Sequence, residues 1–237
     1  MSLVEHLEEL RTRLMWVIAS VALAAIGGWI VFDWVVEVLR RPALPYLQDG
    51  PAGGNLIFTG PLEAFTTRLK VAVYIGFAIA FPIVLYHFWR FIAPGLHRNE
   101  KRYAVPFVLS GMILFTLGVG FAFYTLPQAM QFLIGPAISG EFIRPLLTAK
   151  QYLDFALLYL AAFGIAFEFP LVLMFLTLTR VVSSRRLGQY RRHVFVGISV
   201  VVAFVTPSVD WYTMVVLTVV MYAMYEGSIL LSRLLGR

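Results

Sequence analysis

YAVPFVLSGMILFTLGVGFAFYTLPQAMQFLIGPAISG, residues 103–140, contains no Asp, Glu, Lys or Arg. Its reading decides the fold. One membrane crossing followed by an apolar loop, or two tight crossings, can be drawn through it, and the choice sets the side on which every later segment lies. A crossing helix needs about 20 apolar residues. Pro127 and the pair Gly135-Pro136 argue for a break after a first crossing. A second crossing would also place Arg180 to Arg192, with their five arginines, outside the cell, against the rule that basic loops stay in the cytoplasm. One crossing over 104–126 is therefore expected.

Working outward, further charge-free runs lie between Arg13 and Asp33 and between Lys70 and Arg90. Another covers 155–179, interrupted only by Glu168, and two more flank the turn Thr206-Pro207-Ser208-Val209-Asp210. These runs predict an all-α polytopic membrane protein in which 1–237 form a single integral membrane domain. Its six transmembrane helices span 14–36, 69–89, 104–126, 153–178, 193–207 and 211–230, with both termini cytoplasmic. In that topology Arg11, Arg13, Arg90, Arg98, Lys101, Arg102, the five arginines of 180–192, Arg233 and Arg237 fall inside, and only six of the 19 Lys and Arg fall outside. The last two helices are expected to be short, with 17 charge-free residues before Asp210 and 15 after it. Fifteen helical residues reach about 22 Å against roughly 30 Å of hydrocarbon, so either the bilayer thins locally or the hairpin packs against longer neighbours.

Composition agrees with that class. Sixty per cent of the residues are hydrophobic and 14% are charged, too few for a water-facing surface, since soluble domains carry about 25%. The mean hydropathy is +0.81. The net charge of +6 is accounted for largely by the topology bias, and the basic loops are expected to meet anionic lipid, so nucleic-acid binding need not be invoked. With no cysteine there is no disulfide, thiol nucleophile or cysteine metal site. The first apolar run reads as a retained span and not a cleavable signal, because the segment before it holds three glutamates.

Three places need a further explanation. Leucines at 3, 7, 10 and 14 line one face of a helix, and an interfacial amphipathic helix is expected there, with Ser2 and Glu5 as a capping box. On it, Glu9 precedes Arg13 by four residues. Glu9 can make a local ion pair, or the acidic face can receive a cationic partner, and spacing alone leaves both open. In the loop after the second span Glu100 is the only acid, among basic neighbours that could simply neutralise it, while Trp89 and Phe91 suit interfacial anchors. Glu168, in Phe163-Gly164-Ile165-Ala166-Phe167-Glu168-Phe169-Pro170, is an isolated intramembrane acid. Such a group costs about 2.5–3.5 kcal/mol at a helix centre. Pro170 removes the donor for the Ala166 carbonyl, so a polar notch facing the bundle and a local structural role are both open.

These fragments resemble the TatC family, the integral membrane receptors of twin-arginine protein translocation. The likeness covers essentially the whole chain. It rests on His6-Leu7-Glu8-Glu9-Leu10-Arg11-Thr12-Arg13-Leu14, on Phe91-Ile92-Ala93-Pro94-Gly95-Leu96 with Glu100, on 163–170, on Thr206-Pro207, and on Met221-Tyr222 with Glu226. The resemblance implies a receptor and not an enzyme, without cofactor or metal. It would sit in a bacterial or archaeal-type cytoplasmic membrane and bind the Arg-Arg signal peptides of folded cargo at the cytoplasmic face. TatA-like and TatB-like single-span partners, self-association and the proton-motive force would complete transport. By motif, Glu9 and Glu100 would meet the two guanidinium groups, with Arg11, Phe91 and Pro94 shaping the same surface. A carboxylate pair fits that task because arginine offers a planar fork that lysine lacks. Glu168 would be the intramembrane polar site, and Thr206 with Asp210 a partner-docking site. At this last turn the chain reads Thr-Pro-Ser-Val-Asp where family members often carry Thr-Pro-Pro-Asp, and Met214 stands near the position of their Gln.

Two rival classes are weighed against this reading. A proton-coupled secondary transporter of small solutes would also use a lone intramembrane acid, but it should carry paired interrupted spans, and no matching halves are visible. An intramembrane hydrolase would need a nucleophile with a base, or metal ligands. His6, His87, His97 and His193 all fall near the expected cytoplasmic interface and form no such pattern.

Overall fold

The computed structural model describes residues 3–47, 53, 55–92, 104–135, 147–178, 182, 184–205 and 211–234. Among them nearly everything is helical, with one isolated β-bridge, Ile57 to Thr148. The helices are α1 (Leu3–Ile30), α2 (Phe32–Arg40), α3 (Leu44–Leu47), α4 (Pro61–Ile92), α5 (Ala104–Ile134), α6 (Ala149–Ala166), α7 (Phe169–Leu178), α8 (Ser184–Gln189), α9 (Arg191–Val205) and α10 (Trp211–Leu234); a 3-10 turn, Arg41–Ala43, joins α2 to α3. Five stretches are long and apolar enough to cross a membrane: Val4–Ile30, Pro61–Phe91, Val105–Ile134, Ala149–Thr177 and Trp211–Arg233. The protein is an all-α, multi-pass membrane protein. α9, where the fifth crossing is expected, has 15 residues and falls below that length.

Four local expectations change. The amphipathic start is not a separate helix, because α1 runs unbroken from Leu3 to Ile30. The expected span 14–36 is divided at Val31, where α1 gives way to α2, although Val31 N–H still bonds Gly27 O and Val35 N–H bonds Val31 O, each at 3.1 Å. Pro127 does not end α5: a membrane helix tolerates one missing donor, and α5 continues to Ile134, where Gly135 N–H bonds Gln131 O at 2.9 Å. The last helix is not short. α10 passes through Glu226 because that carboxylate is paired, and its 24 residues extend to Leu234. The capping box at Ser2 lies outside the described residues.

The chain folds as two compact units, Met1–Leu39 with Phe58–Ile113, and Arg40–Ile57 with Leu114–Arg237. In the first, α1 packs along α4 through small residues. A Cβ on Gly28 would stand 2.5 Å from the Ala72 carbonyl oxygen, and one on Gly76 would stand 2.6 Å from the Ala25 nitrogen. The helices meet backbone to backbone, the small-residue packing expected where apolar burial drives little association. Near Val31, the Arg68 guanidinium lies 5.0 Å from the Trp29 ring centre and 4.7 Å from that of Phe32, and it donates to Trp29 O at 3.4 Å. At the other end of α4, Trp89 packs on Phe107 with ring centres 4.7 Å apart.

The second unit has an aromatic core. Tyr159 and Phe163 pack with ring centres 4.7 Å apart and planes tilted by 37°, and Phe121 meets both Phe163 and Phe167. The buried Tyr159 hydroxyl shares a 3.0 Å hydrogen bond with Thr125 Oγ1. Thr148 caps α6 by accepting from Gln151 N–H, and the bridge to Ile57 is made by Ala149 N–H on Ile57 O at 2.8 Å. α10 packs on α7 and α9, with Thr177 and Ser232 hydroxyls 3.1 Å apart.

Candidate functional site

Two carboxylates stand out, one in each unit. At the start of α1 the helix presents its leucines outward: Leu7, Leu10 and Leu14 are exposed. The neighbouring stripe, which carries His6, Glu9 and Arg13, is less exposed and turned toward α4. This arrangement reverses that of a water-soluble helix and suits a segment whose leucine side meets lipid. His6 stacks on Phe91 at the end of α4, with ring centres 4.4 Å apart and planes within 16°.

One turn on, Arg13 is paired with Glu9. Arg13 Nε donates to Glu9 Oε1 at 3.0 Å and Nη2 donates to the same oxygen, with only 14% and 16% of the two side chains exposed. Of the two uses left open by spacing, the local pair is therefore present. It engages one oxygen. Glu9 Oε2 is buried and has no hydrogen-bond partner among the described residues, and the same holds for His87 Nδ1 on α4. Arg90, in the last turn of α4, donates to Tyr86 Oη at 3.4 Å.

The other expected site residues are placed unevenly. Arg11 is exposed on the far side of α1, where it borders an open concavity of about 610 Å³ with Glu8, Thr12, Met15, Trp16 and Ala19. Phe91 is brought to the Glu9 face by His6. Pro94, Glu100, Thr206 and Asp210 lie outside the described residues.

Glu168 occupies the break in the fourth apolar stretch. α6 ends at Ala166, Phe167 N–H still bonds Phe163 O, and Glu168 N–H reaches back only three residues to Ile165 O, each at 3.0 Å. α7 then starts with Val172 N–H on Glu168 O at 3.1 Å. The helix thus breaks one turn before Pro170, at Ala166, whose carbonyl is the one that Pro170 deprives of a donor. The break is held from one side by α5: a Cβ on Gly118 would stand 2.7 Å from the Phe163 carbonyl oxygen and 2.9 Å from Phe167 Cβ. Glu168 lines a cavity of about 260 Å³ with Ile165, Phe169, Val202, Leu217 and Met221, among other apolar side chains. The carboxylate approaches the Phe115 backbone, but neither buried oxygen makes a well-formed hydrogen bond among the described residues. A buried acceptor without a donor costs about 1–3 kcal/mol, so an incoming donor group would be favoured there.

Arg13 is the built-in counter-ion of Glu9, one of the two uses that their spacing leaves open. Two residues acquire roles that the sequence does not supply. His6 joins α1 to Phe91. Glu226 accepts from Arg191 Nη2 at 2.7 Å and from Tyr222 Oη at 3.1 Å, tying α9 to α10. The ends of the Arg191–Glu226 pair lie 35 positions apart, so no local pattern could reveal it. No group of three or more His, Asp or Glu that could hold a metal ion occurs among the described residues.

Comparison with known proteins places this arrangement. The family model described as Sec-independent protein translocase protein (TatC) matches residues 5–219. The chain is 37% identical to the Sec-independent protein translocase protein TatC of Aquifex aeolicus, over 100% of this chain and 97% of that protein. It is 36% identical to the TatC protein of Koribacter versatilis, over 97% and 84% respectively. A crystal structure of the twin arginine translocase receptor TatC superposes with a TM-score of 0.81 at 35% identity, covering 98% of this chain and 100% of that one. A second crystal structure of that receptor, in DDM, gives 0.82 at 35% identity, with 96% and 99% covered. The match to the family model takes in both helices that carry the inward acids, and on that agreement of sequence, fold and length the chain belongs to the TatC family.

Proposed function

We propose that this protein is the receptor subunit of a twin-arginine translocase, with six crossings and both termini in the cytoplasm of a bacterial or archaeal-type cell. It binds the Arg-Arg motif of signal peptides on folded cargo, and with TatA-like and TatB-like single-span partners it passes that cargo across the membrane at the expense of the proton-motive force. Its part is recognition and assembly, with no covalent step of its own. The observation that carries the reading is Glu9. An acid held on the inward face of α1, beside the His6–Phe91 stack and with one oxygen unengaged among the described residues, suits a guanidinium group. Glu100 is the second carboxylate of the pair and Pro94 borders the same surface, while Arg11, on the far side of α1 from Glu9, stands apart from it; Thr206 with Asp210 form a docking turn for a single-span partner.

Site-specific photocrosslinking from positions beside Glu9 and Glu100 tests this reading in membranes at two salt concentrations. Crosslinks to a signal peptide are expected with Arg-Arg, absent with Lys-Lys, and lost in Glu100→Gln. No crosslink in properly inserted protein would overturn the receptor reading and leave proton-coupled solute transport as the class to test next.

A further inference from the structure

Glu9 does not wait empty for a peptide. Arg13 takes its Oε1 with two N–H donors, both side chains are largely withdrawn from solvent, and Oε2 is buried without a hydrogen-bond partner among the described residues. We propose that Arg13 is a specificity-determining residue of the signal-peptide site, an internal arginine that fills one edge of Glu9 and leaves an edge that only a second guanidinium uses well. The inference rests on the receptor reading above and names how that site rejects lysine.

The argument turns on what an arriving cation gains. With Arg13 in place the Glu9 charge is already matched, so a further positive group gains little from Coulomb attraction and is repelled by the resident guanidinium. A lysine ammonium is a compact, strongly hydrated point charge whose binding depends mostly on that attraction. An arginine keeps a second source of affinity, directional N–H bonds from a planar and weakly hydrated fork to Oε2, which has no other donor among the described residues. Arg13 therefore lowers the affinity for both cations but lowers it more for lysine. Discrimination comes from an unfavourable element as well as a favourable one.

The test is the ratio of dissociation constants for synthetic signal peptides carrying Lys-Lys and Arg-Arg, measured on the full chain in lipid nanodiscs. In Arg13→Gln, Lys-Lys binding is expected to tighten, and the ratio to fall by at least about threefold to fivefold, the upper range of a surface ion pair, since this pair is more withdrawn from solvent than such pairs are. An unchanged ratio, or equal weakening of both peptides, would mean that Arg13 merely supports α1 and would overturn the proposal. Wild-type protein that binds neither peptide, or both alike, would instead overturn the receptor reading, so the two failures are distinguishable. A second measurement needs no variant. In wild-type protein labelled with 15N-arginine, the Arg13 Nε–H resonance is expected to stay hydrogen-bonded and to shift on adding the Arg-Arg peptide but not the Lys-Lys peptide; no shift with either at saturation would overturn the proposal.

Discussion

Glu9 and Glu168 are two acids set into apolar helices, and their surroundings differ in one respect that matters. Glu9 has an arginine one turn away on its own helix, whereas Glu168 has no Asp, Glu, Lys or Arg from 155 to 167 or from 169 to 179. Both keep at least one buried oxygen without a partner among the described residues. The first is therefore a carboxylate whose counter-charge is in place and can be supplemented, and the second is one whose need can be met only from outside its own helices. The difference suits the two acids to different ligands: a charged one for the first, and a polar group arriving within the apolar layer for the second.

The sharpest way to break this comparison is to remove Glu168. Glu168→Ala is expected to abolish transport of a folded cargo in membrane vesicles while leaving Arg-Arg peptide binding unchanged; equal loss of both, in normally inserted protein, would show that the two acids serve one step. A smaller effect is expected from the support of the break. Gly118→Val would press a side chain against the Phe163 carbonyl, and over-packing of this kind costs about 1–3 kcal/mol, to be read as a lower unfolding temperature in detergent. Peptide binding at Glu9, in the other unit, should be retained by the folded fraction. The smallest change should come from Glu226→Gln. That residue's pair with Arg191 is partly exposed, so about 1 kcal/mol or less is expected in the same unfolding measurement. A large loss of stability there would mean that Glu226, and not only Glu168, stands as a critical acid.

The sequence was most legible where periodic or charge-free runs alone carry the information. Residues 103–140 point to one crossing, and Gly135 stands at its observed end, but the expected end at 126 is eight residues early because a helix in a bilayer absorbs the hydrogen bond lost at Pro127. Glu226 bounds the 15-residue charge-free count but not the helix: it is neutralised by Arg191 from the neighbouring helix, and the last helix runs past the expected 230 to Leu234. Glu168 was conspicuous by isolation alone. What could not be read was the direction in which side chains point. Leucines at regular spacing reveal a face of α1, but only the fold determines that this face is the outer one and that His6, Glu9 and Arg13 turn inward.

The unbroken course of α1 has a mechanical side. From Glu9 to Gly28 the helix is one rod of about 28 Å, and Gly28 is seated against Ala72 without an intervening side chain. With no hinge between them, a pull or twist applied at Glu9 is not absorbed where it is applied. It is carried along the axis and delivered at the contact with α4, so the end that would meet cargo and the far end of the helix move as a single lever.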